Sequence, residues 1–473
     1  VQSFSIARPL PWLISIGAIV LFLSSSVKHA LFQSNAWDLG IFDQAVYLIS
    51  QGKPAISSFL EFHILADHVA LVLYPLALLY RIVPNVHWLL AVQAIALALG
   101  CLPTYLLARQ AGLKAKTSVV LAVVYLLYPL VFNLSMADFH PEVLAIPAML
   151  QAVYAARCNQ RWWFGIWILL ILSCKAPLAL TVIAMGIWLL VFERRSYGLS
   201  AIVAGIIWFV IATKWVIPTF GGAAAGLDRH AFRYAYLGNS LPEMARNVLS
   251  NPGLVLGRIF AGRTIDYLFL LMAPILWAVP SLKFAPLIGA VPVFLMNVLS
   301  THAGQRNLID QYAVPILPFL ILMAIAAFSS ERSILPKWKI PNSRLILVWS
   351  ILTFLVFAKY LFFFDYIEKL DNWQATRSAI AQVPAQAKVL TDFRLAPHLS
   401  HRSTIRLVNS ARTYLSVKPE RAAEFDYVLL DLRHPWQSDR ALIQKWIDTL
   451  NADSRFRLQF ESDQIFLFKR GET

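Results

Sequence analysis

Carboxylates, imidazoles and a few cations recur in stretches of this sequence that are otherwise apolar. Their types suit acid–base and phosphate chemistry at a membrane surface. Asp38 and Asp43 stand in WDLGIFDQ, among Trp37, Leu39, Ile41 and Phe42. Five residues apart on a helix, they are rotated by about 140° and do not share a face. Two readings of Asp38 are open: a carboxylate turned into a cavity, where it would take or position a proton, or the N-cap of a helix lying in the interface. Asp43 either meets substrate or caps and pairs elsewhere.

His63 and Asp67, four apart, are expected on one helical face with His68 beside them. His63, Asp67 and His140 are candidates for a divalent ion, though a third ligand at fixed spacing is missing; an interfacial polar cluster is the alternative. ADFHPE joins two apolar segments by a tight turn, so Asp138, His140 and Glu142 should converge. His140 precedes proline and is expected to be extended; the alternative is a helix start with Pro141 in its first turn and Glu142 as dipole partner. Lys175, in CKAP, is read either as a phosphate ligand or as a snorkelling side chain. Arg306 with Gln305, Asn307 and Gln311 forms another polar group, and Arg229, His230 and Arg233 add basic charge of the kind that recognises phosphate.

The elements that must position these residues follow from hydropathy. The chain has 473 residues, 58% hydrophobic and only 14% charged, with 15 Trp; soluble domains carry about 25% charged residues. This composition specifies a polytopic membrane protein. The formal charge of +15 is assigned to short loops by the positive-inside rule, which leaves no reason to invoke nucleic acid. Three cysteines without a CxxC or Cys/His pattern predict neither a disulfide framework nor structural zinc. Apolar spans are expected near 10–27, 86–108, 117–134, 141–157, 161–174, 178–193, 197–217, 264–282, 284–300, 312–330 and 344–364, about 11 crossings. The first lacks a small-residue cleavage site and reads as a retained anchor. Residues 161–193, interrupted by Lys175 and Pro177, also fit a single broken helix.

Residues 68–83 decide the topology. If they crossed, Arg109, Lys114, Lys116, Arg157, Arg161, Arg194 and Arg195 would face outward. A hairpin dipping into the outer leaflet puts every basic cluster inside, including Arg332, Lys337, Lys339 and Arg344. The hairpin is preferred. It makes 28–85 and 218–263 outer loops, with the N-terminus cytoplasmic and the tail extracytoplasmic. Asp38, Asp43, Glu61, His63, Asp67, His68, Asp138, His140, Glu142, Lys175, Arg306 and Asp310 then gather on the outer face, where costly intramembrane charge signals function.

After residue 364 the pattern changes. KVLTD (388–392), TIRLV (404–408) and YVLLD (427–431) read as strands, 438–450 as a helix with Ser438 as N-cap, and 456–460 with 464–469 as a hairpin around Glu461–Asp463. The expected division is a mostly α membrane bundle over 1–364 and a small soluble α/β domain over 365–473. The tail has no glycine-rich phosphate loop.

WDLGIFDQAVY (37–47), HILADHVALVLYPLALLY (63–80), ADFHPE (137–142), QYAVPILPFL (311–320) and APHLSHR (396–402) together resemble a bacterial predicted-membrane-protein family, domain of unknown function number twenty seventy-nine. More broadly the chain resembles the GT-C superfamily of membrane glycosyltransferases. In that superfamily an acid of the first outer loop acts near the reacting sugar, and the donor is a polyprenyl-phosphate-linked sugar. The resemblance gives the acid's role to Asp38. It leaves Lys175, Arg306 and Arg233 to hold the leaving phosphate, and Asp43, His63, Asp67, His68, Asp138, His140, Glu142 and Gln311 to line the substrate site. It implies a bacterial inner-membrane enzyme whose partners are a polyprenyl-phosphate sugar or another lipid. One departure counts against this. Related sequences carry a Lys-Glu-Asp-like run where this chain has Lys175-Ala176-Pro177, which opens the alternative of an inactive lipid- or protein-binding scaffold. A transporter is disfavoured, because no paired inverted halves are visible.

Overall fold

A computed structural model describes residues 5–221, 232–329, 342–409, 415–435 and 439–471. Arg229, His230, Arg332, Lys337, Lys339 and Ser438 lie outside the described residues. Among the described residues, five helices are long and apolar enough to cross a membrane: Pro9–Ala30, His87–Gln110, Arg195–Gly221, Gly262–Ser281 and Ser343–Ile367. Ala115–Leu126 and Pro129–Met136 form a sixth candidate, bent by 41° where Pro129 enters the first turn. Shorter apolar helices follow the other expected spans.

Prolines account for the shortness of several. Residues 262–281 change from α-helix to a 3-10 helix at Ala273, with Pro274 and Pro280 inside it. The next apolar segment is a 3-10 turn, Ala285–Ala290, continued by the helix Val291–Leu299. The helix Leu317–Ser329 starts only after the 3-10 turn Gln311–Ala313. Residues 161–193 are two helices, Arg161–Cys174 and Leu178–Phe192, separated by an extended Lys175. Helix Leu73–Ile82 has 10 residues, about 15 Å at 1.5 Å per residue, half of a hydrocarbon core.

The chain divides into two compact units. The first comprises Val1–Phe22, Leu65–Val72 and Ala91–Lys359. Its helices approach closely through glycine. A Cβ on Gly198 would lie 2.3 Å from the backbone nitrogen of Leu190 and 2.6 Å from the carbonyl of Gly186, the small-residue contact that membrane helices use in place of hydrophobic driving force.

The second unit comprises Leu23–Ile64, Leu73–Leu90 and Tyr360–Thr473, so most of the outer loop packs with the tail. A two-residue antiparallel pair, β1 (Ile56–Ser57) and β2 (Phe62–His63), lies in the loop. The tail forms a five-stranded sheet from β3 (Val389–Thr391), β4 (Ile405–Leu407), β5 (Tyr427–Asp431), β6 (Phe456–Ser462) and β7 (Ile465–Arg470), in the order β4-β3-β5-β7-β6. β4, β3 and β5 are parallel; β7 and β6 run antiparallel. Strand alternation sends Leu390, Val428, Leu430 and Phe468 onto Ile443, Trp446, Ile447 and Leu450 of helix Arg440–Ala452. The hairpin turn sits at Asp463–Gln464, not Glu461–Asp463. Both residues have positive φ, 48° and 63°, as a two-residue type I′ turn demands.

Candidate functional site

In the second unit, Asn35 caps the turn that carries Asp38. Its side chain accepts from the Asp38 N–H at 2.8 Å and donates to the Asp38 carboxylate at 2.7 Å. Asp38 is therefore not the N-cap; it sits half-buried in the π-turn Ala36–Gly40, which runs straight into helix Ile41–Ser50.

Asp43 is 1% exposed and fully engaged. The Tyr80 hydroxyl donates to Oδ1 at 2.5 Å, His401 Nε2 lies 3.0 Å from the same oxygen, and the Ser400 hydroxyl donates to Oδ2. The His401 ring stacks on Tyr47, with centroids 4.9 Å apart and 3° between planes. Burial pushes the His401 pKa down, but the charge of Asp43 and its hydrogen bond push it up further, leaving it above the ordinary value. The neighbouring Gln44 accepts from the Ser58 N–H and donates to the Ser58 hydroxyl and the Arg402 carbonyl. Arg402 donates to the carbonyls of Leu399, Pro384 and Ala387, and Arg406 pairs with Glu61. The APHLSHR segment and the outer loop are thus stitched together by buried polar groups. Nearby, His29 and His398 stack at 4.0 Å, with His87 edge-on to His29 at 5.9 Å. Burial holds His398 far below its usual pKa.

His63 falls in β2, paired with Ile56, and helix Ile64–His68 begins after it. His63 and Asp67 therefore do not share a helical face, because strand pairing claims His63.

In the first unit, Asp67 contacts His68. Ala176 N–H donates to the His68 carbonyl at 3.0 Å, and Val72 N–H donates to the Ser173 carbonyl at 3.1 Å, which docks this segment on the Lys175 turn. Lys175 donates to Glu142 at 2.6 Å. It is held in a partly buried ion pair, not extended to an interface. The other oxygen of Glu142 has no partner among the described residues. The ADFHPE turn is clamped by Gln93, which donates to the carbonyls of Asp138 (2.6 Å) and Leu134 (3.0 Å) and accepts from His140 N–H (2.9 Å). Asp138 adopts φ 68°, a left-handed conformation that Asp tolerates better than most residues. His140 is extended, as a residue before proline should be. The structure brings His68, His140, Glu142 and Lys175 within electrostatic reach of one another. Among the described residues, no three His, Cys, Asp or Glu side chains are placed to share one metal ion, so the set His63, Asp67 and His140 does not form.

A second constellation in this unit is basic. Arg306 donates to the carbonyls of Ser300 (2.6 Å) and Val298 (3.2 Å). Arg233 lies over the Tyr312 ring at 5.4 Å, and Arg258 over Tyr236 at 4.3 Å. Gln311 opens the 3-10 turn that carries Tyr312. Burial, then the charges of Arg258 and Arg263, lower the Arg306 pKa. Among the described residues, no ion pair joins Arg233, Arg258, Arg263 or Arg306 to a carboxylate. Arg258 and Arg263 escaped sequence reading because they sit in an amphipathic stretch that looks like ordinary loop. Tyr80, Ser400 and His401 stood in quoted motifs, but nothing in the spacing linked them to Asp43.

Residues 28–467 match the model of a family described as "Predicted membrane protein (DUF2079)". Among solved structures, the chain is similar to ArnT from Cupriavidus metallidurans bound to undecaprenyl phosphate, with TM-score 0.56 and 13% identity, covering 98% of each chain. It is also similar to apo ArnT from the same organism, with TM-score 0.56 and 12% identity, covering 96% of this chain and 98% of that one. At such identity the likeness is one of fold. No curated protein matches the chain in sequence.

Proposed function

We propose, from the DUF2079 family of predicted membrane proteins to which this chain belongs and from its ArnT-like GT-C fold, that it is an integral membrane glycosyltransferase. It would sit in the bacterial inner membrane and transfer a sugar from a polyprenyl-phosphate donor to an acceptor on the extracytoplasmic face. The observation that carries this reading is the group of arginines at 258, 263 and 306, within electrostatic reach of one another, with Arg233 and Arg306 both acting on His302 and no ion pair from any of the four to a described carboxylate. Like charges gather at a cost unless an anion offsets them, and planar guanidinium forks suit a phosphate. The leaving group of this reaction is a phosphate monoester whose charge grows in the transition state, where fixed cations act most strongly. Asp38 takes or positions the proton of the acceptor hydroxyl. His63, Asp67, His68, Asp138, His140, Glu142 and Gln311 shape the surroundings of the sugar, whereas Asp43, buried and fully engaged, acts only through its partners. Lys175 adds little net charge, because Glu142 already neutralises it.

That last point favours a second reading, an inactive member of the fold that binds a lipid or a partner protein. The test is to supply the purified protein in lipid with a mixture of polyprenyl-phosphate sugars and follow free polyprenyl phosphate by mass spectrometry. Release by the wild type, lost in Asp38→Asn and reduced about 100-fold in Arg306→Ala, is expected. No release from a folded wild type with several donors would replace the transferase by the binding protein.

A further inference from the structure

We propose that His401, oriented by Asp43, is the group that accepts the acceptor's proton. This rests on the transferase reading and assigns a catalytic residue that the first-loop acid alone does not supply.

The geometry is that of a held imidazole. Asp43 Oδ1 faces Nε2 at 3.0 Å, and an ionised carboxylate only accepts, so Nε2 carries the hydrogen. The lone pair of neutral His401 is then on Nδ1. No described residue bonds to Nδ1, and the side chain is 31% exposed while Asp43 is 1% exposed. Tyr47 fixes one face of the ring, and the Tyr80 ring meets it at 5.7 Å and 62°. A buried carboxylate, a fixed tautomer and an outward-facing lone pair make up a general base. Asp43 is the positioning residue: it sets the tautomer and stabilises the imidazolium. Ser400 is not a competing nucleophile, because its single proton is shared between Asp43 and the Pro397 carbonyl.

In the step, the acceptor oxygen bonds to the anomeric carbon of the sugar. The bond from that carbon to the phosphate oxygen breaks, and its electron pair leaves with the polyprenyl phosphate. The acceptor proton passes to Nδ1 of His401 and then to water. The ionisable groups facing the ring are Asp43 and Tyr47 on one helix, Tyr80 on another, Arg402 next in the chain, and His29. Asp43 is the one that draws a proton onto the ring, whereas Arg402 opposes it.

The test measures turnover against pH for the wild type, His401→Gln and Asp43→Asn, alongside carbethoxylation of His401 by diethyl pyrocarbonate, read by mass spectrometry across the same pH range. Glutamine keeps an N–H for Asp43 but offers no base. Expected are a fall in kcat of at least about 100-fold in His401→Gln with unchanged KM for the donor, and loss of the rise in rate with pH. In Asp43→Asn, both the rise in rate and the onset of carbethoxylation should move to lower pH. Because the chemical arm needs no turnover, it reads the effect of Asp43 even if that variant is slow. Wild-type kcat and an unaltered pH profile in His401→Gln would overturn this assignment and leave the transferase intact. A His401 that stays unmodified at every pH would overturn it too. Absence of turnover in the wild type would remove both.

Discussion

The C-terminal ends of two parallel strands carry a pair of buried carboxylates whose titration should appear in the stability of the sheet. Asp392 follows β3 and Asp431 ends β5, 2% and 8% exposed. Asp392 accepts from the N–H groups of Arg394, Leu395 and Asp431, and Asn372 donates to Asp431. Burial, then the charge of Asp431, raises Asp392 from 3.8 to about 7. An acid raised in the folded state binds its proton more tightly there than in the unfolded chain. Its stabilisation is therefore complete below the unfolded pKa of about 3.9 and is lost as pH rises through about 7. Between pH 6 and pH 8 the loss is close to RT ln 10, about 1.4 kcal/mol, or tenfold in an opening equilibrium. Hydrogen–deuterium exchange of the full-length protein in lipid, corrected for intrinsic rates, should show protection of the β3 and β5 amides falling about tenfold from pH 6 to pH 8. In Asp392→Asn protection should start lower, because an amide replaces one accepting oxygen, yet stay flat with pH. Protection that holds or rises at pH 8 in the wild type, or an Asn variant that falls in parallel with it, would refute the reasoning.

Three further outcomes follow from the first unit. Glu142→Gln should strand the partly buried Lys175 and lower thermal stability by about 3 kcal/mol, whereas adding Lys175→Met should recover most of it; a double variant no better than the single would show that the pair is not coupled. Gln93→Leu removes three hydrogen bonds from the 134–140 turn, a cost of about 1–3 kcal/mol for each buried group left unpaired, and proteolysis should begin to cut near residue 138. Gly198→Leu would drive a side chain into the backbone of Leu190 and Gly186; a folded yield equal to the wild type would contradict the close helix contact.

What could be read in the sequence was whatever depends on near neighbours. Hydropathy located most of the helices, because a span needs only its own residues to be apolar. Alternation located the strands, and YVLLD became β5 at its expected bounds. Errors arose where a distant partner outweighed the local pattern. His63 matched helical spacing with Asp67, yet pairing with Ile56 took it into a strand. Of the two readings open for Asp38, the cap is removed, because Asn35, three residues earlier, fills that place. The site suffers most from this limit. Asp43 meets Ser400 and His401 more than 350 residues along the chain, and the arginines come from separate segments between 233 and 306. Spacing cannot announce such a meeting, but composition leaves a trace. A carboxylate among Ile41, Phe42 and Ala45 must be paid for by donors from somewhere, and the histidine-bearing APHLSHR, the most polar of the shared motifs, was the natural place to look. A buried acid in an apolar helix is therefore evidence for unseen donors, and here they are the hydroxyls of Tyr80 and Ser400 and the imidazole of His401, whose second nitrogen bonds to no described residue.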